Sequence, residues 1–362
     1  MIDLPAVLRY VVEQGASDLH IKVGSPPRVR INGDLRMAPF PAVGPDECQE
    51  LVKVILPPER LDEFKETGEA DFSLSVSGLG RFRCNAFRQR GTPGLVLRRV
   101  LPSALSATDL GLPPVVTRLA EEHRGLVLVT GPTGSGKTTT LAAMVDHINN
   151  NRAANIITIE DPIEVLHRDK MSIISQREIG TDTSGWAQAM RRVLRQDPDV
   201  IVIGEMRDAE TIAAALAAGE TGHLVLSSLH TTNATETINR IVDFFPPFQQ
   251  RQVRISLAAV LRGVVSQRLV PRADGIGRVA AVEAMVNTGR IADRILDPGN
   301  GSGETIEDVI AEGEYHGMIT FDQSLFNLFK AGEISLRAAL QAATNPHDFR
   351  VALQTAGLLP AV

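Results

Sequence analysis

The chain has 362 residues, of which 43% are hydrophobic and 22% charged, and its formal net charge is −6. One hydrophobic core serves roughly 250 to 300 residues at most, so two or three domains are expected. The composition excludes a disordered or fibrous chain, and the acidic balance excludes a general polyanion-binding surface, which needs Lys and Arg to neutralise phosphates.

The N-terminal stretch MIDLPAVLRYVVEQG lacks a basic n-region and carries Asp3 ahead of a short apolar run, so it does not read as a secretory signal. No apolar run approaches the roughly 18 residues of a membrane span, and a cytoplasmic protein is expected. Cys48 and Cys84 are the only cysteines. With no CxxC spacing they read as two reduced, inert thiols.

Residues 1–100 alternate short apolar runs with turn signals: DLHIKVG, PPRVRINGD, ADFSLSV, RFRCNAF and GLVLRRV. Val29 and Ile31 alternate with Arg28, Arg30 and Asn32 as in a half-buried strand, and Asn32-Gly33-Asp34 reads as a hairpin turn. DECQELVKVILPPERLDEFKE has helical spacing, so this region is expected to be a small α+β domain. Prolines at 102, 113 and 114 mark residues 101–122 as a wrapping linker.

Beyond it, buried-type strands alternate with helical stretches: GLVLVT, KTTTLAAMVDHINN, IITIE, WAQAMRRVLRQ, VIVIG, AETIAAALAAG and HLVLSSL. That alternation predicts βαβ units and a parallel sheet covered on both faces over residues 123–285. After residue 286 the pattern turns helical. Thr305 and Asp308 form a capping-box-like start, FDQSLFNLFKAG sets Phe321, Leu325 and Leu328 on one stripe, and Asn345-Pro346 reads as an N-cap with proline at the first helical position. DPGNGSG, residues 297–303, has the composition of a loop.

Gly131 to Thr138 reads GPTGSGKT, which fills every position of GxxxxGK[ST] between a strand and a helix. Glycines let backbone amides converge on phosphates, and the helix N-terminus adds a positive dipole end. Gly131, Pro132, Thr133, Gly134, Ser135, Gly136, Lys137, Thr138 and Thr139 are therefore the expected nucleotide-binding residues. Lys137 would neutralise the β- and γ-phosphates and the Thr138 hydroxyl would ligate Mg²⁺. The loop alone does not distinguish ATP from GTP.

In an open α/β sheet the ligand sits beyond the carboxyl ends of the strands, so acids at those ends are the next candidates. VIVIGE ends in Glu205, one position later than the usual aspartate. Its longer side chain could contact Mg²⁺ through water or polarise the attacking water. IITIEDPIE brings Glu160, Asp161 and Glu164 together; a charged turn competes with a role near Mg²⁺. His223 and His230 bracket a buried strand in TGHLVLSSLHTTNA, where they either act on a phosphate or are structural. An arginine is still needed for the γ-phosphoryl charge, and Arg81, Arg83, Arg88, Arg90, Arg98 and Arg99 lie on or near the last strands of the first domain.

With these segments in hand, the sequence resembles the PilT-type type IV pilus retraction ATPases of the secretion-ATPase superfamily. GPTGSGKTTTLAAM is similar to the family's Walker A segment, ITIEDPIE to its Asp box, DPDVIVIGEMRD to its Walker B and TGHLVLSSLHTTNA to its His box. Upstream, GASDLH, GSPPRVRINGDL and RFRCNAF extend the match to roughly residues 1–285. The resemblance implies an α/β chain with a PAS-like α+β N-terminal domain, a RecA-like P-loop ATPase core and a C-terminal helical subdomain. It also implies a homo-hexamer with nucleotide held between domains. Carried over by position, Glu164 is the Asp-box acid, Glu205 the catalytic glutamate, His223 and His230 the His-box pair, and Arg83 and Arg98 the arginines that reach the phosphates. Thr138, with Glu160 and Glu205 through water, would hold Mg²⁺.

The expected function is an ATP-hydrolysing retraction motor, peripheral at the cytoplasmic face of the inner membrane. It would act on a membrane platform protein, with an accessory retraction ATPase as a further partner and no nucleic acid. An accessory subunit of low activity and an assembly or secretion ATPase are the alternatives. The longer N-terminal extension and tetracysteine module of the assembly enzymes are not found, which favours retraction. The family's AIRNLIRE motif is represented only by RIADRILD, residues 290–297. A RecA-like nucleic-acid motor is disfavoured by the acidic balance and the 4% aromatic content.

Overall fold

The computed structural model describes residues 2–31, 33–101, 103–299 and 303–360. The chain divides into two compact units, one of Met1–Ser103 with Glu164–Leu166, the other of Ala104–Ile163 with His167–Val362.

The first unit runs α1 (Leu4–Glu13), β1 (Asp18–Lys22), β2 (Arg28–Ile31), β3 (Asp34–Met37), α2 (Pro45–Ile55), α3 (Pro58–Thr67), β4 (Glu69–Val76), β5 (Gly80–Gln89) and β6 (Thr92–Arg99). Its strands form one antiparallel sheet in the order β3-β2-β1-β6-β5-β4. Period-2 alternation explains the core: Leu19, Ile21, Phe82, Cys84, Leu95 and Leu97 all face inward, against Val7, Leu8 and Val11 of α1. The helical stretch expected between β3 and β4 is broken in two, because Pro57 and Pro58 cannot continue α2 and Pro58 instead starts α3. The β2–β3 hairpin is formed, with Ile31 paired to Asp34; Asn32 of the expected turn lies outside the described residues. Both cysteines are buried and free, and burial pushes the Cys84 thiol up to about 12, which leaves it inert at neutral pH.

The second unit contains α4 (Val115–Ala120), β7 (Gly125–Thr130), α5 (Lys137–Asn151), β8 (Asn155–Glu160), β9 (Ile173–Glu178), α6 (Trp186–Val193), β10 (Val200–Ile203), α7 (Ala209–Glu220), β11 (Leu224–Leu229), α8 (Ala234–Asp243) and α9 (Pro247–Val260). It continues through β12 (Leu261–Pro271), β13 (Arg278–Val286), α10 (Gly289–Leu296), α11 (Ile306–Ala311), α12 (Phe321–Lys330), α13 (Leu336–Ala342) and α14 (Pro346–Thr355). The sheet order is β13-β12-β7-β11-β10-β8-β9. Every neighbouring pair is parallel except β12–β13.

Successive residues of β7 feed opposite faces. Leu126 and Leu128 join a core with α6 to α10, whereas Val127 and Val129 join one with α4 and α5. Cover on both faces is why β7, β10 and β11 read as unbroken apolar runs.

Three elements differ from the sequence expectation. The antiparallel β12–β13 hairpin adds an edge that alternation did not reveal, because buried polar residues interrupt both strands. β9 extends the other edge. The linker expected over residues 101–122 is in part a packed element: Pro114 caps α4, whose Val115, Val116, Leu119 and Ala120 are buried. Prolines at a helix start supply a fixed φ instead of an interruption; Pro102 lies outside the described residues.

The C-terminal helices begin as their caps predict. Thr305 and Asp308 close a capping box on α11, and Asn345 caps α14. RIADRILD forms α10, which buries Ile291 and Ile295 and pairs Arg290 and Arg294 with Glu304. Of the adjoining loop, residues 300–302 lie outside the described residues. Among the described residues no helix is long and apolar enough to cross a membrane.

Candidate active site

The turn after β7 is built for a phosphate. Gly131 has φ +146°, and a Cβ there would lie 2.4 Å from Ser135 Oγ and 2.6 Å from the Gln267 carbonyl oxygen, so only glycine closes the loop. Gly134 and Gly136 also have positive φ, and α5 starts immediately afterwards. Lys137 is buried to 9% exposure and folds back over the loop, donating to the Gly131 and Pro132 carbonyls at 2.9 and 3.1 Å. Ser135 Oγ is buried with no protein hydrogen-bond partner. A cradle closed to any Cβ, an orphaned hydroxyl, a lysine and a helix N-terminus together fit a phosphate chain. Thr138, the first hydroxyl on α5, is exposed.

The floor under this loop is polar and is hydrogen-bonded to both of its ends, with Gln267 Oε1 left without a protein partner. Thr130 donates to Ser266 at 2.9 Å, and Gln267 Nε2 donates to Thr140 at 2.8 Å, so β12 fixes both ends of the loop. On β13, Glu283 accepts from the Ala234 amide at 2.7 Å and thereby holds the start of α8, directly after the His230 turn. Burial, with the charge of Glu307, outweighs that hydrogen bond and the attraction of Arg268 and pushes the Glu283 carboxyl up to about 7.

Glu205 follows β10 by two residues. Gly204 continues the ladder through its amide to the Ile159 carbonyl at 2.8 Å, while Ser228 donates to the Gly204 carbonyl at 2.6 Å. A Cβ at Gly204 would sit within 3.5 Å of Ile159, Trp186 and Glu160. The glycine therefore lets two neighbouring segments close on the strand end and delays the acid by one position. The two carboxylate oxygens of Glu205 face different partners: His230 Nε2 at 3.1 Å from Oε1 and an Arg207 nitrogen at 2.9 Å from Oε2. Burial pushes this carboxyl up, but the Arg207 hydrogen bond and the charges of His230 and Arg207 outweigh it and hold the group below the usual carboxylate range.

His230 joins the acid to the loop. Its Nδ1 is 3.4 Å from Lys137 Nζ. An ammonium can only donate, so this contact makes Nδ1 the acceptor and leaves Nε2 to donate to Glu205. The sheet thus brings Lys137, His230 and Glu205, residues from the ends of three parallel strands, into one chain of polar contacts.

Other expected residues lie elsewhere. His223 precedes β11 and His230 follows it; seven residues at about 3.3 Å each put them roughly 23 Å apart, at opposite ends of the strand. The structure therefore does not bring His223 to the loop of its own chain. Its Nδ1 instead meets the Ala218 carbonyl and Thr221 hydroxyl at 3.1 and 3.2 Å. Glu160, at the end of β8, is reached by the Thr158 hydroxyl and by Gln176 at 3.0 Å. Within the first unit Arg83 donates to Glu164 at 3.2 Å and Arg98 to Asp18 at 2.8 Å. Among the described residues no three His, Cys, Asp or Glu side chains form a metal cluster.

Residues 2–299 match the family described as Type II/IV secretion system protein. The chain belongs to that family. It is 44% identical to the type IV pilus retractation ATPase PilT of Pseudomonas aeruginosa, over 96% of this chain and 100% of that one. It is 40% identical to the type IV pilus ATPase PilU of the same organism, over 98% and 92%. A crystal structure of the pilus retraction motor PilT with bound ADP superposes with a TM-score of 0.87 and 43% identity, covering 96% of this chain and 99% of that one.

Within this member of the type II/IV secretion family, sequence reasoning missed Arg207 and the buried floor of Ser266, Gln267 and Glu283. Arg207 was visible two residues after Glu205 in GEMRD. The floor was not: Thr130 and Ser266 are 136 positions apart in the chain.

Proposed function

We propose that the chain is an ATPase whose hydrolysis drives retraction of a type IV pilus. The observation that carries this reading is the Lys137–His230–Glu205 chain at the mouth of a complete phosphate loop, in a protein similar along its whole length to PilT. ATP binds with its β- and γ-phosphates on the loop amides and Lys137. Glu205 takes a hydrogen bond from the attacking water and His230 fixes the carboxylate from one side. Arg83 and Arg98 are assigned to the γ-phosphoryl charge, and Glu164 to their alignment.

The donors available are all oxygens, which suits Mg²⁺: the Thr138 hydroxyl would hold it, with Glu160 and Glu205 meeting it through water. Bound there, the ion would offset negative charge on the phosphoryl oxygens. The working assembly proposed is a homo-hexameric ring at the cytoplasmic face of the inner membrane, acting on a platform protein.

Purified protein should hydrolyse ATP only with Mg²⁺, and E205Q should lower kcat roughly a hundredfold or more while retaining nucleotide. Steady-state turnover of E205Q at the wild-type rate would remove Glu205 from the mechanism. In cells, a deletion should leave excess surface pili without twitching; loss of pili would point to assembly. The similarity to PilU supports a second reading, an accessory retraction ATPase. A deletion strain that retracts until a second retraction ATPase is also removed would favour it.

A further inference from the structure

We propose that Arg207 is a positioning residue for ATP hydrolysis, fixing the rotation of the Glu205 carboxylate so that one face of it stays aimed at the attacking water. This inference rests on the ATPase reading above and assigns a part of its site that the phosphate loop, the acid and the histidine do not supply.

The need for such a residue follows from the strand end. The backbone at 204–206 is held firmly, by the Gly204 bond to Ile159, the Ser228 bond to the Gly204 carbonyl, and the Met206 amide bond to Ser228 at 3.2 Å. The side chain is another matter. Glutamate has three rotatable bonds beyond that anchor, one more than the aspartate usual at such a position, and each can move the oxygens by ångströms. A single hydrogen bond from His230 to Oε1 leaves the carboxylate free to turn about that contact. The 2.9 Å bond from Arg207 to Oε2 removes the freedom, because two donors on two oxygens fix the carboxylate plane.

The clamp does not use up the base. An ionised carboxylate offers about four acceptor directions, and two donors leave the remainder for water. Accessibility fits this division of labour: the Glu205 side chain is 19% exposed while that of Arg207 is 61% exposed. An ion pair with so exposed a cation contributes little to folding, so its value at this site is orientation. Asp161, on the turn after β8, adds a weaker electrostatic attraction to the same guanidinium. Lysine would be a poor substitute, since it offers a point charge with rotatable donors instead of a planar fork.

The test measures ATP turnover, the KM for ATP, affinity for a fluorescent ADP analogue and the melting temperature in wild type, R207M and R207K. In R207M kcat is expected to fall about ten- to a hundredfold, the cost of a base displaced by about an ångström, with KM and ADP affinity within about twofold. The melting temperature should scarcely move, and R207K should recover part of kcat. Wild-type kcat in R207M, a rise in kcat, or a loss expressed only through KM and ADP affinity would each overturn the positioning role. Wild-type protein that binds the ADP analogue yet hydrolyses no ATP would overturn the ATPase reading and this inference together, an outcome distinguishable from active wild type unaffected by R207M.

Discussion

The two ends of the parallel strands in the seven-stranded sheet, its carboxyl edge and its amino edge, carry similar residue types in different arrangements. At the carboxyl edge Lys137, His230 and Glu205 contact one another through side chains, and Ser135 Oγ has no protein partner. At the amino edge polar side chains are spent on backbone: Asn155 donates to the Gln196 and Asp197 carbonyls at 2.8 Å each, and His223 meets the Ala218 carbonyl. Lys137 also donates to two loop carbonyls, so the carboxyl edge is marked by side chains that engage one another beside a buried hydroxyl with no protein partner. The contrast separates scaffold from site without reference to residue type.

The largest effect should come from the residue most committed to the carboxyl edge. K137A removes the cation that lies across the loop, and hydrolysis should fall roughly a thousandfold, the upper range for losing one preorganised electrostatic contact. Binding of an ADP analogue should weaken with it. Because Lys137 bonds two loop carbonyls, the variant should still fold, with an unchanged far-ultraviolet dichroism spectrum. K137A with normal turnover would mean that the loop is not the phosphate site.

How much of this was legible in sequence follows from the range of each interaction. The phosphate loop is eight consecutive residues whose geometry is set by its own glycines, so its spacing was sufficient. Glu205 stands out in the sequence because a buried strand that runs straight into an acid, beside a phosphate loop, gives that acid a reason to be there. The histidine pair divides by geometry: His223 and His230 flank a six-residue strand, so within one chain only His230 shares the loop's end of the sheet. The β12–β13 hairpin was missed although Asp274-Gly275 gives a turn signal, because Ser266, Gln267 and Glu283 break the apolar runs. Those residues are polar because they brace the loop and the His230 turn, partners far away in the chain. The prolines before α4 have the same ambiguity: Pro-rich sequence marks a helix start as readily as a linker.

Glu283 sharpens the comparison because it lies on the site's side of the sheet but behaves as scaffold, with a backbone amide for its partner. The folded carboxyl keeps its proton up to about 7, whereas an unfolded glutamate releases it near 4.5. Between these values the native state binds more protons, so stability falls as pH rises through that window and the contribution is absent above it. E283Q mimics the protonated form at every pH. Relative to wild type it should gain up to about 3 kcal/mol at pH 8 and nothing at pH 4, read by denaturant unfolding, with kcat near wild type. A kcat loss comparable to that of K137A would move Glu283 from scaffold to site.

The smallest effect is expected at His223, where the comparison is most exposed to failure. Its Nδ1 sits against the Ala218 carbonyl and the Thr221 hydroxyl, contacts that close the end of α7 onto β11. Each is a local bond at a half-exposed position, so H223A should cost about 1 kcal/mol of stability. Turnover at saturating ATP should stay within about twofold of wild type, because roughly 23 Å of strand separates this ring from Lys137 and His230 in the same chain. Only a route outside the chain could make His223 catalytic. If H223A loses tenfold or more in kcat while its melting temperature is preserved, the amino edge of one copy must serve the nucleotide of another. The two edges would then be halves of one site that closes only between copies of the chain.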